Sequence, residues 1–131
     1  MTPTCRVLIV DDETVFRKNV ARVLAQYGIR AAEAADGESA LARLAAEAFD
    51  VVLLDLKMPG LDGAQTLRRL KAADCPAEVI VLTGHASLDE AVALLKDGAF
   101  DYMLKPYESR ELLEQVNAAA EQKARREAGP A

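Results

Sequence analysis

The chain has no tryptophan, one histidine (His85), and two cysteines, Cys5 and Cys75, far apart and without CxxC spacing. Two cysteines and one histidine do not make a zinc site. No stretch approaches the roughly 20 apolar residues that a membrane span needs. The first apolar run, Val7-Leu8-Ile9-Val10, is short and ends in acids, unlike a signal peptide. Positive charge is not in excess either: a formal net charge of −5 argues against a nucleic-acid surface on this segment, though not on a domain fused to it. There is no GxxxxGK[ST] loop, so ATP is not expected as a direct donor. Internal repeats and low-complexity segments are also missing. What remains is 131 residues, 51% hydrophobic and 28% charged, which fits one globular domain with a single core and a cytoplasmic location.

The most informative stretch is Val51-Val52-Leu53-Leu54-Asp55-Leu56-Lys57-Met58-Pro59-Gly60-Leu61-Asp62-Gly63. Four aliphatic residues read as a strand buried on both faces. The strand runs straight into Asp55, and the Pro and Gly residues that follow turn the chain out of the sheet. Similar apolar strands are expected at 5–10, 78–82 and 100–104, with a weak Ala-rich one at 29–34. Helices are expected at 14–27, 38–48, 63–73, 88–96 and 109–126. The first carries Val15, Phe16, Val20, Val23 and Leu24 at helical spacing, with Asp12 as its expected N-cap. The second turns Ala40, Leu41, Leu44 and Ala48 inward, and Ser87 with Glu90 reads as a capping box before the fourth. The last, with Leu112, Leu113 and Val116 inward, is polar all round from Glu121 onward. That portion either frays or continues as a linker, so residues 1–120 read as the domain and 121–131 as a tail or linker to an output domain.

Five strands alternating with five helices imply a parallel sheet covered on both faces, with right-handed crossovers. All strand carboxyl ends then lie on one edge, where such sheets bind ligands. That edge collects Asp11, Asp12, Asp55, Thr83 and Lys105. Three neighbouring carboxylates repel unless a cation sits among them. A hard divalent ion with oxygen ligands is the natural solution, and Mg²⁺ suits a small open site that keeps its waters. Taken alone, Asp11 and Asp12 read more readily as an exposed helix-capping pair; it is their company with Asp55, Thr83 and Lys105 on other strand ends that favours the ion. A metal-held carboxylate can act as a nucleophile and form an acyl phosphate, with Lys105 and the Thr83 hydroxyl serving the phosphoryl oxygens.

These pieces, Val10-Asp11-Asp12, Asp55 with Met58-Pro59-Gly60 and Gly63, Leu82-Thr83-Gly84, and Lys105-Pro106, resemble the receiver (phosphoacceptor) domain of two-component response regulators over residues 5 to about 120. The resemblance implies a flavodoxin-like, doubly wound α/β fold with strand order 2-1-3-4-5. In that order the strands beside Cys5 and Cys75 are two spacings apart, roughly 9–10 Å. That is too far for a disulfide, so both read as free thiols. The resemblance also implies roles. Asp55 is the phospho-acceptor. Asp11, Asp12, Asp55 and the Lys57 backbone carbonyl hold Mg²⁺. Thr83 and Lys105 bind the phosphoryl group, the Lys105–Pro106 peptide is cis, and Tyr102 is the aromatic switch partner of Thr83. Lys57 and His85 flank the path of the hydrolytic water and are expected to set the lifetime of the signal.

The implied function is a phosphorylation-controlled switch. A histidine kinase or phosphotransfer protein donates from phosphohistidine, and the surface of the fourth helix, last strand and last helix changes for output or homodimerisation. The domain is then no enzyme beyond its own phosphorylation and dephosphorylation. Its wording resembles receivers attached to AAA+ type transcription activators, and a stand-alone receiver is the alternative. Two rivals stand beside this reading. One is a Mg²⁺-dependent phosphatase of the aspartyl-phosphate type, which usually needs a second acid where Lys57 stands. The other is a degenerate receiver acting only as a docking scaffold.

Overall fold

Aliphatic runs without polar alternation call for burial on both faces of a sheet, and the strands here are used that way. The structure, a computed structural model, describes residues 5–84 and 87–129. Five strands, β1 (Arg6–Val10), β2 (Arg30–Ala34), β3 (Val51–Asp55), β4 (Glu78–Thr83) and β5 (Asp101–Leu104), form one parallel sheet in the order β2-β1-β3-β4-β5. They alternate with α1 (Thr14–Gln26), α2 (Gly37–Ala46), α3 (Gly63–Ala72), α4 (Leu88–Lys96) and α5 (Ser109–Ala128). This is the expected doubly wound, flavodoxin-like α/β fold.

Because successive strand residues point to opposite faces, the sheet separates two cores. Leu8, Val10, Val52, Leu54, Val79 and Val81 pack with Ala40, Leu67, Leu70 and Leu94 of α2, α3 and α4. Val7, Ile9, Val51, Leu53, Ile80 and Leu82 pack with Val20 and Leu24 of α1 and Leu112, Val116 and Ala119 of α5. The single core expected from length is thus two layers on either side of one sheet.

Some local expectations are corrected. Glu13, not Asp12, is the N-cap of α1, and it makes no side-chain cap bond. The carboxylate that serves this turn is Asp11, whose Oδ1 accepts the Glu13 N–H at 2.8 Å. Val15 is 74% exposed, because the buried stripe runs one residue over through Phe16, Val20 and Leu24. Ala48 lies beyond α2, which ends at Ala46, and is exposed; Phe49 takes the buried place. Ser87 caps α4 by accepting the Glu90 N–H at 3.1 Å. A fully reciprocal capping box sits at α3, where Asp62 and Gln65 each accept the other's backbone N–H. Cys5 and Cys75 are both free, and burial first, then Asp50, pushes the Cys5 thiol up to about 11, against a partial pull downward by Lys123.

The polar end of α5 does not fray. It continues as one helix to Ala128 and is clasped to the amino ends of the strands. Arg126 pairs with Glu78, the buried first residue of β4, and donates to the Pro76 carbonyl. Lys123 lies 3.4 Å from Asp50, which also accepts the Arg6 N–H. At the other side of the sheet β2 is an edge strand. There Arg43 Nη1 donates to the Glu33 carbonyl at 3.1 Å, and the Glu33 carboxylate binds Arg17 and Lys18.

The clasp predicts a stability effect for residues that carry no apolar stripe. Arg126→Ala would leave the Glu78 carboxylate buried without its guanidinium. It is expected to cost about 1–2 kcal/mol in denaturant unfolding, less than a fully buried pair because the arginine is half exposed. Truncation after residue 120 should cost at least as much. An unchanged midpoint in both would show that the segment from 121 onward adds nothing to the fold.

Candidate functional site

The site forms where β1, β3 and β4 end and where the β5–α5 connection begins. Asp11 follows β1 directly and is 1% exposed, Asp55 ends β3 at 6%, and Thr83 ends β4 at 1%. Asp12 is exposed beside them. Two glycines shape the loop after Asp55. Gly60 adopts φ +76°, a left-handed conformation that costs other residues strain. Gly63 lies so close to the end of β3 that a Cβ there would meet the Asp55 carbonyl oxygen at 2.3 Å. Its N–H donates to the Leu56 carbonyl at 2.9 Å, folding the loop back beneath Asp55.

Lys105 reaches this edge from the end of β5, which it follows directly. Its ammonium donates to Asp11 Oδ2 at 2.6 Å and stands 3.6 Å from Asp55 Oδ1. It also lies over the Phe16 ring, 4.0 Å from the centroid. The Lys105–Pro106 peptide is cis. Asp11, Asp12 and Asp55 each present a carboxylate oxygen, all within 4.8 Å of one another. Three such oxygens on a partly open edge fit a hard divalent cation by donor type and spacing. Asp12, Glu13, Asp55, Lys57, Thr83, Gly84 and Lys105 line an open cleft of about 420 Å³.

The charges are unevenly matched. Burial pushes the Asp55 carboxyl up to about 6; the nearby Lys105 ammonium pulls it down, Asp11 pushes it up again, the Lys57 backbone N–H lowers it, and Asp12 adds to the rise. Burial by itself would lower the Lys105 ammonium, but Asp11, Asp55 and Glu13 hold it above its ordinary value. One lysine therefore faces three acids, and it sits closer to Asp11 than to Asp55.

Of the residues singled out in the sequence, Asp11, Asp12, Asp55, Thr83, Lys57 and Lys105 come together on this edge. Lys57 is exposed at the rim. Tyr102 stands apart on β5, half-buried, opposite Val81 and against the core beneath α4. His85 lies outside the described residues. Arg17 is a further residue of the site that the sequence pattern does not single out. Its Nη1 donates to the Asp11 carbonyl at 2.6 Å while its Nε holds Glu33, so the backbone bearing Asp11 is tied to β2. A cation one and a half helical turns after an acidic pair was the available signal. In the sequence Phe16 reads only as part of the helix stripe.

The chain belongs to the response regulator receiver domain family, whose model matches residues 7–117. It is accordingly a signalling domain of two-component systems. It is 38% identical over 113 residues to the DNA-binding transcriptional regulator NtrC of Salmonella typhimurium, a match covering 86% of this chain and 24% of that protein. It is 39% identical over 113 residues to the response regulator MprA of Mycolicibacterium vanbaalenii, covering 86% of this chain and 49% of that one. A CheY-like receiver domain protein from Methanospirillum hungatei superposes with a TM-score of 0.89 at 31% identity, covering 95% of this chain and 99% of the other. The chain thus spans about a quarter to a half of the length of these curated relatives. Among the described residues no helix is long and apolar enough to cross a membrane.

The balance around Asp55 is measurable. In metal-free buffer the Asp55 carboxyl carbon should titrate near pH 6, well above an unperturbed aspartate, and Lys105→Met should move it higher still. The folded chain holds this proton more tightly than the unfolded chain. Ionising Asp55 therefore subtracts stability, beginning above its unfolded value and completed above about pH 6. Asp55→Asn should then stabilise the metal-free protein by about 1–2 kcal/mol at pH 8 and by little at pH 4, allowing for water in the open cleft. Equal stability of the two proteins at pH 8 would contradict this balance.

Proposed function

We propose that Asp55 is the phospho-acceptor of a phosphorylation-controlled switch. The observation that carries the reading is the shared ammonium: Lys105 spans Asp11 and Asp55 at the mouth of a cleft that three carboxylate oxygens also line. An Asp55 oxygen attacks the phosphorus of a phosphohistidine on a histidine kinase or phosphotransfer protein. The P–O bond forms as the P–N bond breaks, and the imidazole leaves. Lys105 and the Thr83 hydroxyl then bind the phosphoryl oxygens. Mg²⁺ on Asp11, Asp12, Asp55 and the Lys57 backbone carbonyl would supply further neutralisation of the phosphoryl charge when bound. Water attack at phosphorus later returns the carboxylate and inorganic phosphate, and Lys57 and His85 set the rate of that step.

The group added to Asp55 carries roughly −1.5 to −2 charges and three acceptor oxygens. Thr83 moves toward it, Tyr102 turns inward, and the α4–β5–α5 surface shifts toward a conformation already present at low population. That surface has apolar side chains to offer. Leu88 (77%), Val92 (42%) and Leu95 (43%) of α4 and Leu104 (54%) of β5 are exposed. It is the face read for output or homodimerisation. The likeness to NtrC supports the receiver of a cytoplasmic transcriptional regulator, with DNA contacted by another domain. Lys57 at the position two residues after Asp55 favours the switch over a phosphatase, which usually needs an acid there.

Incubation with acetyl phosphate and Mg²⁺ should add one phosphoryl group per chain by mass and perturb Tyr102. Asp55→Asn, or chelation of the metal, should reduce uptake by at least about a hundredfold. Sustained turnover of a small phosphoester would instead indicate a phosphatase, and no uptake at all a docking scaffold. Lys57→Ala and His85→Ala should each change the lifetime of the phosphorylated chain; unchanged lifetimes in both would remove them from the hydrolytic path.

A further inference from the structure

Among the described residues only two acids, Asp11 and Asp55, lie within 4 Å of the Lys105 ammonium, and a third close neighbour is not an acid. The ammonium is 2.6 Å from Asp11 Oδ2 and 3.6 Å from Asp55 Oδ1, and left to these alone it would collapse onto Asp11, away from any group carried by Asp55. The third neighbour is an aromatic face. The Phe16 centroid lies 4.0 Å from Nζ, within the range over which a ring quadrupole attracts a cation. The ring is itself oriented. It meets Tyr107 edge-on, with centroids 5.9 Å apart and planes at 90°, and Tyr107 lies two residues after Lys105. One ring on the first turn of α1 therefore touches the chain on both sides of Pro106. With Glu13, Asn19 and these residues it lines a second cleft of about 410 Å³ beside the first.

An aliphatic side chain could fill the apolar part of this position, since Phe16 is only partly buried and packs at the margin of the α1–α5 core. An aromatic face attracts the ammonium without forming a salt bridge. A carboxylate in its place would hold Lys105 too firmly and would add a further negative charge to the cleft. A ring face leaves the cation free to change partners.

Resting on the reading of Asp55 as acceptor, we propose that Phe16 is a positioning residue for phosphoryl transfer: its ring face holds the Lys105 ammonium where it can leave Asp11 and meet a phosphoryl oxygen on Asp55.

Fluorination tests this without changing shape. Replacing Phe16 in the full 131-residue chain by 4-fluoro-, 3,5-difluoro- and 3,4,5-trifluorophenylalanine weakens the quadrupole in steps at nearly constant volume. The rate of phosphorylation by acetyl phosphate with Mg²⁺ should fall stepwise, by about three- to tenfold at the trifluoro ring, with kcat rather than KM carrying the loss and the unfolding midpoint unchanged. Phe16→Leu should lose at least as much. A rate flat across the fluorinated series, in a wild-type chain that is phosphorylated, overturns the role of Phe16 alone. A wild-type chain that takes up no phosphoryl group overturns the acceptor reading and this inference together.

Discussion

One ammonium holds the carboxyl edge of the sheet together. Lys105 is donated by the connection after β5, an edge strand, yet its charge is used between β1 and β3 at the sheet's centre. Asp11 and Asp55 are almost fully enclosed, and two buried carboxylates side by side are costly without a counter-charge. The cation also fixes the loop that carries it, because its ammonium lies against Phe16, and Phe16 in turn meets Tyr107. Arg17 works from the opposite direction, holding the Asp11 backbone against Glu33. The arrangement is neutralised only in part, since one ammonium faces several acids.

The sequence made the sheet legible because its strands obey one simple rule. Each central strand is a largely aliphatic run that leads into a polar residue, Asp11, Asp55 or Thr83, and several such runs alternating with helices fit a doubly covered parallel sheet. The meeting of Asp11, Asp12, Asp55, Thr83 and Lys105 followed from topology alone, since parallel strands bring their last residues to one edge. What each residue does there is a matter of chemistry beyond that placement.

The less legible parts have specific causes. Helix stripes tolerate a shift of one residue, so Val15 looked as apolar as Phe16 although only the latter turns inward. The Asp11–Asp12 pair offered two candidate caps, and choosing between them needed the hydrogen bond that Asp11 makes to Glu13. Glu121 to Ala128 has no apolar pattern to read. Its attachment depends on Arg126 meeting Glu78, 48 residues away, and long-range ion pairs leave no periodic trace. Contacts such as that of Phe16 with Lys105 are hidden for the same reason: a phenylalanine in a helix stripe reads as core whether or not a cation lies over its face.

The free side of β2 bears on how copies of the domain can meet. An edge strand ordinarily offers its outward carbonyls and amides as a template for a further strand. Here a guanidinium from α2 already occupies the Glu33 carbonyl, and two cations crowd the same residue's side chain. Extending the sheet at that border would mean prising Arg43 away and stripping water from a cluster of charges. Neighbouring copies are thereby steered away from backbone ladders at β2 and toward contacts made by side chains.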